Sequence, residues 1–161
     1  MIKIIHELEP FYNNDSEILI LGSIPSIKSR ELKFYYAHPQ NRFWKILTKI
    51  YNEPIVNSIE EKKNFLTKYK IALWDVIKSC EITGSSDNSI KNVMPNDINL
   101  IIKNSKVTKI FTTGNKAYEL YNKYCLKDTN IKAIKLPSTS PANCKKDIEN
   151  ILYNEYKQIK S

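Results

Sequence analysis

The chain has 161 residues and carries 25 Lys and Arg against 17 Asp and Glu, which gives a formal net charge of +8. A chain of this length can bury roughly two-thirds of its unfolded surface around one core, so we expect one domain over residues 1–161. No apolar run approaches the ~20 residues of a spanning helix, and charge interrupts the opening residues too early for a signal peptide. These features exclude an integral membrane protein and lead us to expect a soluble, cytoplasmic one.

The basic charge has two readings. Lysines beside phosphates gain affinity by releasing counterions, which favours a polyanion as partner. The chain is also rich in Lys, Ile, Asn and Tyr, a composition typical of an AT-rich coding sequence. Charge alone therefore leaves a nucleic-acid partner open.

The first half of the chain alternates apolar strands with amphipathic helices. We predict a short amphipathic helix over residues 4–11 and a buried strand over 17–22, where a continuous apolar run stops at Gly22. Apolar positions 43, 46, 47 and 50 follow helical spacing. A second helix is predicted over 59–69 and a second buried strand over 71–76. Residues 84–99 are interpreted as a polar excursion that ends in a helix through Ile101.

The second half repeats the alternation. A third strand over 107–112 turns tightly at 113–115 into a helix, and the alternating run 131–136 predicts a fourth strand at a sheet edge. A helix that includes residues 148–156 closes the chain. This order predicts an α/β fold of three αβα layers around a four-stranded parallel sheet. Ligands of such sheets bind beyond the carboxyl ends of the strands, where the loops begin at Gly22, Asp75, Thr113 and Leu136.

Two of these loop regions carry distinctive motifs. The first reads Gly-Ser-Ile-Pro-Ser at 22–26 and Tyr-Ala-His-Pro-Gln-Asn-Arg-Phe-Trp at 36–44, and the second reads Leu-Pro-Ser-Thr-Ser-Pro-Ala-Asn at 136–143. Together they resemble the two signature regions of the uracil-DNA glycosylase superfamily, above all its hypoxanthine (deoxyinosine) DNA glycosylase branch. The mismatch-specific glycosylases are the next most similar. The resemblance implies a uracil-DNA glycosylase-like fold in a monomer that hydrolyses the N-glycosidic bond of deaminated bases in DNA during base excision repair.

The catalytic amide is expected at Asn41. Mismatch-specific members carry a catalytic Asn at the third residue of the first motif, where this chain has Ile24, which cannot orient a water. The resemblance to the hypoxanthine branch assigns that role to Asn41. An amide suffices, because the reaction needs a positioned water and stabilised charge rather than a strong base. The alternative for Asn41 is a helix cap.

A flipped base is held by aromatic faces and by bonds to its pairing edge. Tyr36, with Tyr35 beside it, is the candidate stacking platform. Asp75 could accept the N–H of hypoxanthine or uracil, and the backbone amides of Ser23 and Ile24 could meet the carbonyl. Ordinary loop packing of the tyrosines and a structural cap at Asp75 are the alternatives.

The second motif is expected to hold the DNA backbone. Ser138, Thr139 and Ser140 offer short hydroxyl donors to phosphates, and the flanking prolines stiffen the loop. A helix start capped by Ser140 is the alternative. Further phosphate contacts are expected at Ser26, Lys28 and Ser29, and a wedge or opposite-strand contact at Ala142 and Asn143.

The remaining titratable residues predict neither a metal nor a cofactor. His38 could be a general acid or make a structural hydrogen bond, and His6, far along the chain from both motifs, is expected at the surface. Three widely spaced Cys indicate free thiols, and the iron–sulfur branches of the superfamily need four. No lysine is placed as a Schiff-base nucleophile, so the enzyme should be monofunctional.

Two other classes stay open. A non-catalytic α/β module that binds nucleic acid would have the same fold. A P-loop or dinucleotide enzyme would need a Gly-rich loop that this chain lacks.

Overall fold

The structure is a computed structural model that describes residues 2–6, 8–84 and 86–161. Strands and helices alternate along most of the chain. The strands are β1 (Ile2–Ile5), β2 (Ile18–Gly22), β3 (Ile71–Asp75), β4 (Ile77–Ile82), β5 (Lys91–Pro95), β6 (Lys109–Thr113) and β7 (Ala133–Leu136). The helices are α1 (Ile27–Leu32), α2 (Phe43–Ile50), α3 (Ile59–Lys68), α4 (Asn99–Lys103), α5 (Asn115–Tyr124), α6 (Leu126–Thr129) and α7 (Ile148–Tyr156), with short 3₁₀ turns at Asp87–Ser89 and Lys157–Ile159.

The central sheet has the predicted architecture. Its four strands are all parallel in the order β3-β2-β6-β7, which places β7 at an edge as its alternating pattern predicts. Leu19, Ile20 and Leu21 of β2 are fully buried because helices cover the sheet and leave neither face of this inner strand to water. The predicted α/β fold is confirmed.

The helices form where their apolar spacing indicates. Ser58 caps α3 and exchanges hydrogen bonds with Glu61 in a capping box, which satisfies backbone donors at the helix start. Helix α2 buries Phe43, Ile46, Leu47 and Ile50 on one face and packs against α7. This packing positions the start of α2 beside the loop that precedes α7.

A second sheet was not predicted from the sequence. β1, β4 and β5 form an antiparallel sheet in the order β1-β4-β5. The helix predicted over residues 4–11 is therefore wrong, and the polar excursion over 84–99 contains a strand. β-Branched Ile2, Ile4 and Ile5 favour a strand, and their partners lie more than 70 residues away on β4, so the pairing has no local signal.

Among the described residues, no helix is both long and apolar enough to cross a membrane.

Candidate active site

A cleft of about 710 Å³ opens at the carboxyl ends of the four parallel strands. Its volume lies within the range of roughly 300–1,000 Å³ that small-ligand pockets occupy. Loops that follow all four strands contribute to its walls. The lining residues include Gly22, Ser23, Ile24, Ser26, Tyr36, His38, Asn41, Asp75, Thr113, Ser138, Thr139, Ser140, Ala142 and Asn143.

Gly22 leaves room for two side chains at the base of the cleft. In register it pairs with Asp75, the last residue of β3. A Cβ at Gly22 would overlap Asp75 Oδ1 and lie 3.5 Å from the Tyr36 hydroxyl. The missing side chain, rather than an unusual backbone angle, is what this position requires.

Asp75 is 4% exposed and bonds to a histidine that directly follows β1. His6 Nε2 lies 2.8 Å from Asp75 Oδ2, and the His6 side chain is 1% exposed. The backbone N–H of Leu8 donates to His6 Nδ1 at 3.1 Å, so Nε2 carries the hydrogen and donates to the carboxylate. The expectation that His6 lies at the surface is wrong. The pairing of β1 with β4 delivers it here, which the local sequence did not indicate.

Tyr36 is fixed at both ends of its side chain. Its backbone adopts a left-handed conformation with φ of 52°. Its ring stacks on Phe43 with centroids 3.8 Å apart and planes 9° from parallel, and its hydroxyl hydrogen-bonds to Thr113 Oγ1 at 3.1 Å. Burial and the nearby Asp75 carboxylate raise the pKa of Tyr36 above its ordinary value, so the phenol stays protonated.

Tyr35 packs differently from its neighbour. It is buried, its hydroxyl donates to the backbone carbonyl of Glu9 at 2.8 Å, and its own carbonyl accepts from Trp44 Nε1 at 3.1 Å. Burial, mainly, raises the pKa of Tyr35. These contacts give Tyr35 a core role behind His6, and leave Tyr36 as the more suitable stacking platform.

Asn41 combines the two roles that the sequence left as alternatives. It is half-buried and lines the same cleft as Ser138. Its Oδ1 accepts the backbone N–H of Phe43 at 2.9 Å, which caps the start of α2. Within the described part of the chain, Asn41 Nδ2 has no hydrogen-bond partner. The cap fixes the orientation of the amide without turning it away from the cleft.

Arg42 ties the two motifs together. Its backbone N–H donates to the carbonyl of Thr139 at 3.0 Å. Its Nη1 donates to the carbonyls of Ser140 at 3.3 Å and Asn143 at 3.1 Å. Arg42 belongs to the first motif, but no role was assigned to it from the sequence. Its position between Asn41 and the α2 core is the one signal that could have indicated a structural role.

The second motif forms a turn held by bonds from its own side chains to its backbone. Ser138 Oγ accepts the N–H of Ser140, and Ser140 Oγ accepts the N–H of Ala142. Asn143 Nδ2 donates to the carbonyl of Ser138 at 2.9 Å. No helix begins at Ser140, because the next one in the described chain starts at Ile148. Ala142 is exposed at the tip, whereas Asn143 points its amide back into the loop.

The residues expected to contact phosphates differ in exposure. Thr139 is 2% exposed, which argues against a direct phosphate contact by its side chain. Ser29 is also buried, where its hydroxyl accepts the N–H of Ala37. Ser26 is exposed and caps α1, and Lys28 forms an exposed ion pair with Glu31 at 3.7 Å.

His38 has a structural hydrogen bond. Its Nδ1 accepts the backbone N–H of Gln40 at 3.1 Å at the entry to α2. Across residues 2–6, 8–84 and 86–161, no three His, Cys, Asp or Glu side chains come together as a metal site would require. Cys80 and Cys125 are buried free thiols, and Cys144 is an exposed one.

The fold and the paired motifs define a family. The family model described as the uracil DNA glycosylase superfamily matches residues 9–157. The chain therefore belongs to this superfamily, which confirms the family predicted from the two motifs.

Two archaeal relatives are each named hypoxanthine DNA glycosylase. The chain is 35% identical to the one from Methanosarcina acetivorans over 133 residues, which cover 81% of this chain and 83% of that protein. It is 36% identical to the one from Methanosarcina barkeri over 93 residues, 57% of this chain and 59% of the relative's length. A solution NMR structure of a candidate uracil DNA glycosylase from Methanosarcina acetivorans is also similar, with a TM-score of 0.79 and 30% identity. That match covers 96% of this chain and 97% of the other.

Proposed function

We propose that this chain is a monofunctional DNA glycosylase that hydrolyses the N-glycosidic bond of deaminated bases, hypoxanthine first and uracil or xanthine as alternatives. It would act as a monomer in the cytoplasm, on DNA, in base excision repair. The observation that carries the proposal is the convergence of Asn41, Tyr36 and Asp75 with the loop at Ser138 in one cleft. The names of the two archaeal relatives support hypoxanthine as the first base.

Asn41 would position the attacking water. Breaking an N-glycosidic bond creates a cationic sugar and an anionic base, so a preorganised polar group lowers the barrier. A carbonyl oxygen has two lone pairs, and the Phe43 N–H uses one of those on Asn41 Oδ1. The second can accept a hydrogen from the water. The first-turn amides of α2 favour the negative charge of the departing base.

Tyr36 and Asp75 would hold the extruded base. Hypoxanthine and uracil both present a ring N–H beside a carbonyl. Asp75 Oδ1 can accept that N–H, while the amides of Ser23 and Ile24 meet the carbonyl. Tyr36 supplies an aromatic face, whose stacking contributes about 1 to 3 kcal/mol per base.

The second motif and α1 would hold the DNA backbone. Short hydroxyls and lysines suit phosphate contacts, which position the duplex without reading its sequence. Ser138, Ser140, Ser26 and Lys28 supply these groups. Ala142 is exposed, which supports its role as a wedge that would enter the gap left by the flipped nucleotide.

A non-catalytic DNA-binding module is the second candidate. The bond from Phe43 N–H to Asn41 Oδ1 is also the bond that a purely structural cap makes. The two candidates differ in what Asn41→Ala should do. It removes the water-positioning group in an enzyme and only a helix cap in a binding module.

The test uses labelled oligonucleotides that contain deoxyinosine, deoxyuridine or deoxyxanthosine, followed by alkali to cut abasic sites. We expect scission by the wild type and a loss of about 100-fold or more in Asn41→Ala, with DNA binding retained. Asn13→Ala is the matched control, because Asn13 Oδ1 accepts the N–H of Asp15 in the same kind of turn away from the cleft. Intact oligonucleotides at excess wild-type enzyme, with binding retained, would support the binding module instead.

A further inference from the structure

Asp75 has a proposed role in holding the base, but its buried partner His6 has no role in the reaction described above. Asp75 lines the cleft, whereas His6 is not among the lining residues. The two residues are held by different sheets, since His6 directly follows β1 and Asp75 is the last residue of β3. Buried polar groups are normally hydrogen-bonded, because burying one without a partner is destabilising. A buried polar atom of this pair that lacks a partner therefore indicates where a ligand could bond.

The hydrogen bonds show which atoms of the pair donate and which accept. Leu8 N–H occupies His6 Nδ1, which leaves Nε2–H to donate to Asp75 Oδ2. Asp75 Oδ1 has no hydrogen-bond partner within the described residues and sits against Gly22 at the base of the cleft. A carboxylate oxygen only accepts hydrogen bonds. The pair therefore presents one fixed acceptor to the cleft.

The end of β3 is also held from the other side. Asn96 Nδ2 donates to the carbonyl of Asp75 at 2.9 Å and to that of Ile77 at 3.2 Å. The backbone of Asp75 is thus fixed independently of its side chain. His6 therefore fixes only the orientation of the Asp75 carboxylate.

We propose that His6 is a positioning residue that aims Asp75 Oδ1 at the ring N–H of the extruded base, so that this pair separates bases with a ring N–H from bases with a bare ring nitrogen. This inference rests on the proposed function and deepens it. Hypoxanthine, xanthine and uracil present a ring N–H there and are accepted. Adenine and cytosine present a bare ring nitrogen, whose lone pair faces the carboxylate, and are rejected.

The size of the selectivity for bases with a ring N–H follows from the polar groups that stay unpaired when a base without that N–H occupies the site. A site built to bond one substrate hydrogen rejects the analogue that lacks it by about 10⁴-fold, and a misaimed group loses about 100-fold through geometry alone. An amide at position 75 would behave differently, because it can turn its NH₂ toward a bare ring nitrogen. Asp75→Asn should therefore reduce the preference for bases with a ring N–H over bases with a bare ring nitrogen, in addition to lowering the excision rate.

The experiment compares single-turnover excision of hypoxanthine from deoxyinosine and of purine from deoxynebularine, which has the same rings without the carbonyl and the N–H. His6→Leu removes the donor, and His6→Gln keeps an N–H donor near the position of Nε2. We expect His6→Leu to lose about 10- to 100-fold on deoxyinosine with a matching fall in selectivity. His6→Gln should stay within about threefold of the wild type, because the donor is restored. Asp75→Asn should raise deoxynebularine excision relative to deoxyinosine.

The control is Ile5→Ala, which alters the last residue of β1, directly before His6, at a side chain that is 58% exposed. It should keep wild-type selectivity. Equal losses in His6→Leu and Ile5→Ala that track the melting temperature would overturn the proposal, as would unchanged selectivity in a folded His6→Leu. Nitrogen-15 NMR of the wild-type imidazole tests the geometry without any variant. It should show hydrogen on Nε2, and a hydrogen on Nδ1 would contradict the proposal.

The two proposals fail separately. Absence of excision by the wild type would overturn the proposed function. NMR titration of the Gly22 amide with free hypoxanthine and 1-methylhypoxanthine would then decide the present inference. Preference for hypoxanthine would support the aimed carboxylate, and equal binding of the two bases would overturn it.

Discussion

On the Asp75 wall of the cleft, side chains bond to one another, whereas in the wall at residues 138–143 side chains, including that of Arg42, bond to backbone groups. Asp75 is buried, and Ala142 on the opposite wall is exposed. A base must be recognised atom by atom in a dry pocket, while the phosphate backbone is the same at every site. The difference between the walls matches these two tasks.

The largest effect is expected from Gly22→Ala, at the base of the Asp75 wall. The new Cβ would overlap Asp75 Oδ1, whose partner oxygen is held by His6. Overpacking of this kind costs about 1 to 3 kcal/mol of unfolding free energy. We also expect about a 100-fold loss of excision, because the carboxylate is displaced. Thermal unfolding and single-turnover kinetics measure the two effects.

A double variant checks that crowding is the cause. If the Asp75 carboxylate is what the methyl group displaces, Gly22→Ala combined with Asp75→Ala should be more stable than the sum of the two single effects predicts. Additive losses would mean that Gly22 is needed for another reason.

On the opposite wall, Arg42→Met should release the loop at 138–143. It removes the two bonds from Nη1 to the carbonyls of Ser140 and Asn143 and keeps the apolar stem. Hydrogen bonds from charged groups contribute about 1.5 to 3 kcal/mol, so we expect roughly a tenfold loss of kcat/KM. Hydrogen exchange should become faster at the amides of the loop.

Lys45→Met is the control for Arg42→Met. Lys45 lies on α2, which starts directly after Arg42, and pairs with Glu149 at the surface. Unchanged loop exchange in Arg42→Met, together with a shallower salt dependence of binding, would show that Arg42 contacts phosphate directly.

A smaller effect is expected from Thr113→Val, which removes the hydrogen bond to the Tyr36 hydroxyl and a longer one, of 3.4 Å, to the carbonyl of Leu21. The ring stays stacked on Phe43, so we expect a loss of about three- to tenfold in excision, equal to one neutral hydrogen bond of ~1 kcal/mol. Single-turnover kinetics on deoxyinosine measure it.

Thr112→Val is the matched control on the neighbouring residue of β6. Thr112 is fully buried, and its Oγ1 has no hydrogen-bond partner among the described residues. The substitution should be neutral or stabilising, because no bond is lost. Equal losses in the two variants would argue that Tyr36 does not need its hydroxyl contact.

The smallest effect is expected where the protein is proposed to contact the DNA backbone. Lys28→Gln should weaken DNA binding regardless of the base and lower the slope of log K against log salt concentration by about 1. Lys106→Gln is the control, because Lys106 also forms a surface ion pair, with Asp15, but lies at the other end of the sheet from the cleft. Its backbone N–H donates to the carbonyl of Ser16, which precedes β2 at the amino end of the sheet. Identical salt slopes for both variants would remove Lys28 from the interface.

Much of the fold could be predicted because its signals are local. The continuous apolar run that stops at Gly22 and the helical spacing from Phe43 each fall within about ten residues. The antiparallel sheet could not be predicted in the same way. Its strands β1 and β4 pair across more than 70 residues, and in a run as short as Ile2 to Ile5 apolar periodicity alone does not separate a strand from a helix.

In the candidate site, too, the features with a local sequence signal could be predicted and those that depend on distant residues could not. Asn41, Tyr36 and the residues at 138–143 belong to motifs, so the sequence identified them and their family. Thr139 was expected to contact phosphate, but its burial depends on packing that a motif does not encode. The structural role of Arg42 depends on carbonyls about 100 residues later in the chain.

The sequence by itself determined the parallel sheet, the family and the residues of the two motifs, because apolar periodicity and short motifs are properties of neighbouring residues. Only the tertiary structure decided that His6 lies behind Asp75 and that Asn41 both caps α2 and lines the cleft. The orientation of a polar side chain depends on partners brought from distant segments. Those partners meet only when the two sheets and the loops pack together.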